Sequence, residues 1–218
     1  EQLLLDPDYH STPVYDYRIG LGHTRWATHG KPSQRNAHPH QAGPIALVHN
    51  GIIENYAELR HRLLEKGCAF SSDTDSEVIA FVIYDYLKQG HSFEKSVLLA
   101  IGDLQGAYSL GIMSETEPTK LIAVRNGTPL IVGVGDKEHF IASDVAALLE
   151  YTKRIAYLDD HELAILEPQR MTFRNKKGDE IKKEFQKISW TAEMVEKGGY
   201  QHFMLKEIHE QPQAVIHT

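Results

Sequence analysis

Apolar and polar positions follow regular spacings along most of the chain, and the spacing changes from strand-like to helical and back. Residues 17–21 and 45–49 are short apolar-rich runs that predict strands. Residues 56–66 predict an amphipathic helix ended by Gly67. A second helix is expected over 74–89 and a third over 92–104. From there the pattern turns predominantly to β, with strands expected at 107–113, 121–125 and 129–134, and Asn126-Gly127 as a turn between the last two. A short helix over 144–151, capped by Ser143, is expected before strands resume at 154–158 and 163–166. Lys176-Lys177-Gly178-Asp179 reads as a hairpin turn joining 171–174 to 180–185.

Helices flanked by this many strands predict helical layers outside stacked sheets, an α+β fold. The polar, Gly-containing stretch at 196–199 is the best candidate boundary, giving a domain over 1–199 and a connector over 200–218. There is no internal repeat and no low-complexity segment.

Composition narrows the function classes. A chain of 218 residues with 41% hydrophobic positions has the length for one substantial core. A net charge of -7 argues against a nucleic-acid or anionic-membrane surface. No apolar run approaches the roughly 20 residues that a membrane span needs. One cysteine excludes an intramolecular disulfide framework and suits a reducing cytosol.

Three segments carry candidate chemistry. Gly22-His23-Thr24-Arg25-Trp26-Ala27-Thr28-His29-Gly30 offers the Arg25 fork, which pairs bidentately with a carboxylate, and the Trp26 indole, which could wall off water. Val48-His49-Asn50-Gly51-Ile52-Ile53-Glu54-Asn55 offers the Asn50 amide and the unobstructed Gly51 N–H, two donors for one developing oxyanion. In Ser72-Asp73-Thr74-Asp75-Ser76-Glu77-Val78, Thr74 and Glu77 have the form of a capping box. Asp75 then falls in the first helical turn, where it could receive an ammonium group or simply complement the helix dipole.

Each signal also has a plainer explanation. Asn-Gly is the commonest two-residue hairpin turn, although here Ile52-Ile53-Glu54-Asn55 leads into a helix, so a strand delivering Asn50 to a sheet edge is at least as good a reading. Arg25 alone could be a structural ion-pair partner. His23, His29, His38, His40 and His49 are dense enough to raise a metal site, but no Cys or carboxylate spacing accompanies them, and loop or core histidines are the better reading; no metal and no cofactor is expected. Gly133-Val134-Gly135 lacks the rest of a dinucleotide fingerprint, and the Lys176-Lys177 and Lys182-Lys183 pairs read as solvated faces.

Taken together the three segments resemble the glutaminase domain of the glutamine–fructose-6-phosphate aminotransferase family. The resemblance continues through Gly106-Ala107-Tyr108, Phe140-Ile141-Ala142-Ser143-Asp144 and the tail His202-Phe203-Met204-Leu205-Lys206-Glu207-Ile208-His209-Glu210-Gln211-Pro212. It implies the four-layer αββα sandwich of N-terminal-nucleophile hydrolases. On the residues, it implies that Arg25 binds the glutamine α-carboxylate, Asp75 its α-ammonium, and Asn50 with Gly51 the oxyanion. Trp26, Thr28 and His29 would belong to the loop that closes over the amino acid.

The family's nucleophile is an N-terminal cysteine, whereas this sequence begins Glu1-Gln2-Leu3 and its one cysteine, Cys68, lies at the end of a predicted helix away from any activating motif. A few dozen residues, including the nucleophile and the first strand, are therefore expected to precede Glu1, and these 218 residues alone are expected to bind glutamine without turning it over. The implied partners are L-glutamine, a sugar isomerase domain of the same polypeptide and its fructose 6-phosphate, in a cytoplasmic, homo-oligomeric full enzyme making glucosamine 6-phosphate. Two rival readings stand beside this. One is the glutaminase domain of another amidotransferase, such as amidophosphoribosyltransferase or asparagine synthetase. The other is a catalytically silent glutamine-binding module.

Overall fold

Alternation along two strands sorts the interior into layers. In β4 (Leu121–Asn126), Ile122 and Val124 join one core cluster while Leu121 and Ala123 join another. In β8 (Glu162–Glu167), Leu163 and Ile165 divide from Ala164 and Leu166 in the same way. Successive strand residues point to opposite faces, so the sheet holding both strands is buried on both sides.

The computed structural model describes residues 19–24 and 30–189, together with 204, 205, 208, 209 and 211. Its larger sheet has seven strands in the order β1 (His40–Ala42), β2 (Ile45–Ile53), β3 (Gly106–Ser114), β4, β8, β9 (Arg170–Arg174) and β10 (Glu180–Ile181). The second sheet has the order β11 (Gln186–Lys187), β7 (Arg154–Tyr157), β5 (Ile131–Val134) and β6 (His139–Ala142). All pairings are antiparallel.

One face of the seven-stranded sheet carries α1 (Tyr56–Glu65), α2 (Asp75–Lys88) and α3 (Phe93–Asp103), whose Leu59, Leu63, Val78, Ile79, Val82, Ile83 and Val97 meet Leu47, Leu110 and Ile112 of the strands. The other face meets the second sheet through Leu130, Val132, Ala156 and Leu158. Beyond that sheet, Ile131 and Ile155 pack against Val145, Leu148 and Leu149. Among the described residues the order is thus helices, sheet, sheet and a short 3-10 turn.

The three helices form as predicted, each to within a residue or two. Ser92 caps α3 by accepting from the Lys95 N–H, and Gly67, at φ 80°, ends α1 in a Schellman arrangement, with Cys68 N–H returning to the Leu63 carbonyl. The capping box at α2 is only half made. Thr74 accepts from the Glu77 N–H, but the Glu77 carboxylate reaches past Thr74 to the backbone and hydroxyls of Ser71 and Ser72. Four donors outcompete the single N–H a capping box would offer.

Other expectations change. Residues 19–21 of the first predicted strand form no strand, and residues 17 and 18 lie outside the described residues. Asn126-Gly127 does not turn a hairpin, because it carries the chain from β4 in one sheet to β5 in the other. The expected helix over 144–151 is a single 3-10 turn, Val145–Leu148, and its cap is Asp144, which accepts from the Ala146 N–H at 2.7 Å, not Ser143. Strands β1, β6 and β11 are additional. The expected boundary at 196–199 lies outside the described residues.

Candidate functional site

Strand β2 is the backbone of the site. It runs unbroken through Asn50-Gly51, so this dipeptide is strand and not a turn, and every residue from Ile45 to Ile53 pairs with β3. On its other side β1 pairs only with Ile45, Ala46 and Leu47. From Val48 onward that side has no neighbouring strand among the described residues, and the N-terminus of α2 fills part of the space. Two bonds fasten strand to helix there. The Ile53 N–H donates to Asp75 Oδ2 at 2.9 Å, and His49 Nδ1 lies 2.9 Å from Ser76 Oγ.

Asp75 is the first residue of α2 and only 2% exposed. Its carboxylate therefore does more than complement the helix dipole, since it also satisfies a backbone donor three residues beyond Asn50. Behind it, the Glu77 carboxylate is buried, which by itself would raise its pKa, but the hydrogen bonds from Ser72 and Ser71 outweigh burial and hold it below its ordinary value. That pinned carboxylate fixes the turn leading into Asp75.

Asn50 lies on the wall of a cavity of about 510 Å³, between the Gly20–Thr24 stretch, β2, β3 and the end of β6. His23, Ser109, Ile141 and Ser143 share that wall. The size suits a small polar ligand. Asn50 Oδ1 is held 2.6 Å from His23 Nε2, and the Asn50 carbonyl accepts from Thr128 Oγ1 at 3.3 Å. In a trans peptide the N–H points opposite to the carbonyl, so Thr128 sets the direction of the Gly51 N–H. Neither His23 nor Thr128 stands out as a site residue in the sequence. His23 is one of five histidines between residues 23 and 49, and the Thr128 contact spans 78 residues.

Gly51 has φ +127°, and a Cβ there would lie 2.0 Å from the Ala107 carbonyl oxygen. Glycine is required at this point by the approach of β3, whatever the N–H does in chemistry. Opposite it, Tyr108 is fully buried, and burial pushes its phenol up to about 12.

Arg25, Trp26, Thr28 and His29 lie outside the described residues. The chain on both sides of them is in place. Before them His23 and Thr24 line the cavity. After them buried Asn36 accepts from the Asp73 N–H and donates to the Lys31 carbonyl, both at 3.0 Å, tying this segment to the turn that precedes α2. Asn50 and Gly51 thus come together with Asp75 around the open side of β2, although Gly51 and Asp75 are not on the cavity wall itself. Cys68 is half-buried behind α1 against the main core and does not line the cavity. Among the described residues no group of three His, Cys, Asp or Glu side chains is placed to hold a metal ion.

A family model described as a glutamine amidotransferase domain matches residues 6–216. The chain is 50% identical over 202 residues to a glutamine–fructose-6-phosphate aminotransferase (isomerizing) of Clostridium tetani, covering 92% of this chain and 33% of that protein. It is 53% identical over 199 residues to the enzyme of the same name from Thermococcus kodakarensis, covering 90% of this chain and 33% of the relative. The chain therefore spans about a third of the length of these relatives. Among solved structures, glutamine phosphoribosylpyrophosphate amidotransferase from B. subtilis superposes with a TM-score of 0.60 at 26% identity, covering 72% of this chain and 35% of that one. This likeness supports the fold class that the resemblance implies, and the described residues carry its helices and two stacked antiparallel sheets.

Proposed function

This chain belongs to the glutamine amidotransferase domain family, and from that membership we propose that it binds L-glutamine and stabilises the hydrolysis of its side-chain amide. The observation that carries the reading is Asn50. It stands on a cavity wall with its carbonyl end occupied by His23 and a turned Gly51 peptide behind it. Such an arrangement offers donors where negative charge develops. Asp75, fastened to the same strand, is the acceptor for the substrate ammonium, and Arg25 the partner of its carboxylate, with Trp26, Thr28 and His29 enclosing the amino acid.

The chemistry proposed on these residues is the one the family resemblance implies. A thiolate attacks the amide carbon, the carbonyl electrons move onto oxygen, and Asn50 with Gly51 holds that oxyanion. Collapse expels ammonia, which takes up the proton the thiol gave up in forming the thiolate, and leaves a γ-glutamyl thioester, which water cleaves to glutamate and free thiol. Cys68 is poorly placed to be that thiol, so these 218 residues supply binding and oxyanion stabilisation and do not turn glutamine over unaided. The nucleophile is the N-terminal cysteine that the resemblance implies.

Identity near 50% to the hexosamine enzymes favours their reaction over that of the phosphoribosyl relatives. Ammonia would then pass to a sugar isomerase domain of the same polypeptide, reached through residues 200–218, to convert fructose 6-phosphate into glucosamine 6-phosphate in a cytoplasmic homo-oligomer. The test is glutaminase kinetics of Asn50→Ala in the full-length protein. Loss of one oxyanion donor should lower kcat roughly 10²–10³-fold with KM little changed. A folded variant retaining more than about a third of wild-type kcat would remove Asn50 from the chemistry.

A further inference from the structure

The side-chain amide of asparagine has two ends of similar shape, and only one of them can stabilise an oxyanion. If the carbonyl end of Asn50 faced the cavity, it would repel the negative charge it is meant to hold. Something must therefore fix which end points outward. The candidate is His23, whose Nε2 lies 2.6 Å from Asn50 Oδ1. An amide oxygen only accepts, so this contact requires the proton on Nε2.

The rest of the imidazole supports that assignment. His23 Nδ1 is buried and has no hydrogen-bond partner among the described residues. With the proton on Nε2, Nδ1 presents a lone pair and no orphaned N–H. The reversed amide would need Nε2 as acceptor, which moves the proton to Nδ1 and leaves a buried donor with no acceptor among the described residues. The Nε2–H tautomer therefore satisfies both partners, and the reversed pair satisfies neither the ring nor the chemistry.

The ring itself is held. It lies tilted against His38 with centroids 4.1 Å apart, and His38 meets the edge of His40 at 4.7 Å. His40 Nε2 lies 3.1 Å from Thr74 Oγ1, the cap of the helix that begins with Asp75. A continuous run of contacts thus connects the oxyanion donor to the entrance of α2, and His23 is its last member before Asn50.

Resting on the assignment of Asn50 to the oxyanion hole, we propose that His23 is a positioning residue that turns the Asn50 amide so that Nδ2 faces the reacting carbonyl. It acts through Asn50 and touches no reacting atom. The role is specific to the Nε2–H donor, and the ring contact alone does not provide it.

The experiment is a double-mutant cycle on glutamine hydrolysis by the full-length protein, reading kcat and KM separately for Asn50→Ala, His23→Phe, His23→Gln and the double variant, with circular dichroism on each. His23→Phe keeps a planar ring but no donor, and should lower kcat about 10- to 100-fold, less than the full loss of an oxyanion donor, with KM within about twofold. His23→Gln keeps an N–H donor at similar reach and should stay within about fivefold of wild type. In the Asn50→Ala background His23→Phe should cost nothing further, because its effect passes through the amide. Multiplying losses in the double variant, or equal losses for His23→Gln and His23→Phe, would overturn the proposal. A slow Asn50→Ala beside an unaffected His23→Phe would overturn the positioning role alone, whereas an unaffected Asn50→Ala would remove the oxyanion assignment and this role together. If His23→Phe does not fold, His23→Leu serves as the donor-free arm.

Discussion

Asp75 can be substituted in two ways that separate its structural bond from its proposed substrate contact. In Asp75→Ala the Ile53 N–H, which now donates at 2.9 Å to a buried carboxylate, loses its acceptor. An unsatisfied buried donor costs about 1–3 kcal/mol, and the lost charge at the helix start adds about 0.3–1 kcal/mol. For a domain of this size each kcal/mol moves Tm by about 2–4 °C, so the alanine variant should melt roughly 3–16 °C lower. Asp75→Asn keeps an oxygen to accept from Ile53 and loses only the charge, which gives a drop of roughly 1–4 °C. Toward substrate the two variants should behave alike, because neither can neutralise an ammonium. Leaving a charge-assisted pair without its partner costs about 2–5 kcal/mol, a rise in KM for glutamine of roughly 30-fold or more. Calorimetry and glutaminase kinetics on the same full-length preparations give both numbers. A stable Asp75→Asn protein with KM within about threefold of wild type, far inside the change expected for a lost ion pair, would show that the carboxylate serves only the fold.

Gly51→Ala should not yield a folded domain, since its Cβ would fall 2.0 Å from the Ala107 carbonyl oxygen at a backbone φ of +127°; soluble yield and far-ultraviolet circular dichroism test this, and an unchanged Tm would contradict the close approach of β2 and β3. Glu77 is held below its ordinary value of 4.5, so the stability it contributes is fully present above that pH and is lost as pH falls through its lower folded-state value. Glu77→Gln should accordingly flatten the acid limb of a Tm-against-pH curve below about pH 4.5, and an identical limb in both proteins would refute the assignment.

The helices are legible in the sequence because their signals are local: Ser92, Thr74 and Gly67 act within one turn of the residues they cap. The sequence pattern ends strand β2 too early because Asn50-Gly51 carries the strongest short-range turn signal, and only β3, more than fifty residues later, overrides it. Short strands such as β1 and β11 have no pattern of their own and exist by pairing. Asn50 and Asp75 can be singled out from their chemistry and spacing. The Asp75 bond to Ile53 and the contacts of His23 and Thr128 with Asn50 are products of the fold, and no window of sequence contains them.

An asparagine followed by glycine is, in a flexible chain, the pair most prone to age chemically. The glycine nitrogen attacks the side-chain carbon, a cyclic imide forms, ammonia is lost, and water leaves aspartate or its isomer behind. At Asn50 that change would put a carboxylate where the proposed reaction develops negative charge, so the proposed activity would be lost while the shape is kept. The strand guards against this. Thr128 holds the Asn50 carbonyl, β3 crowds Gly51, and His23 holds the amide oxygen, so the nitrogen cannot swing onto the side chain without breaking the ladder. Deamidation at Asn50, monitored by peptide mapping during storage, should therefore keep pace with unfolding and not with time alone; steady accumulation in fully folded protein would show that the strand gives no such protection.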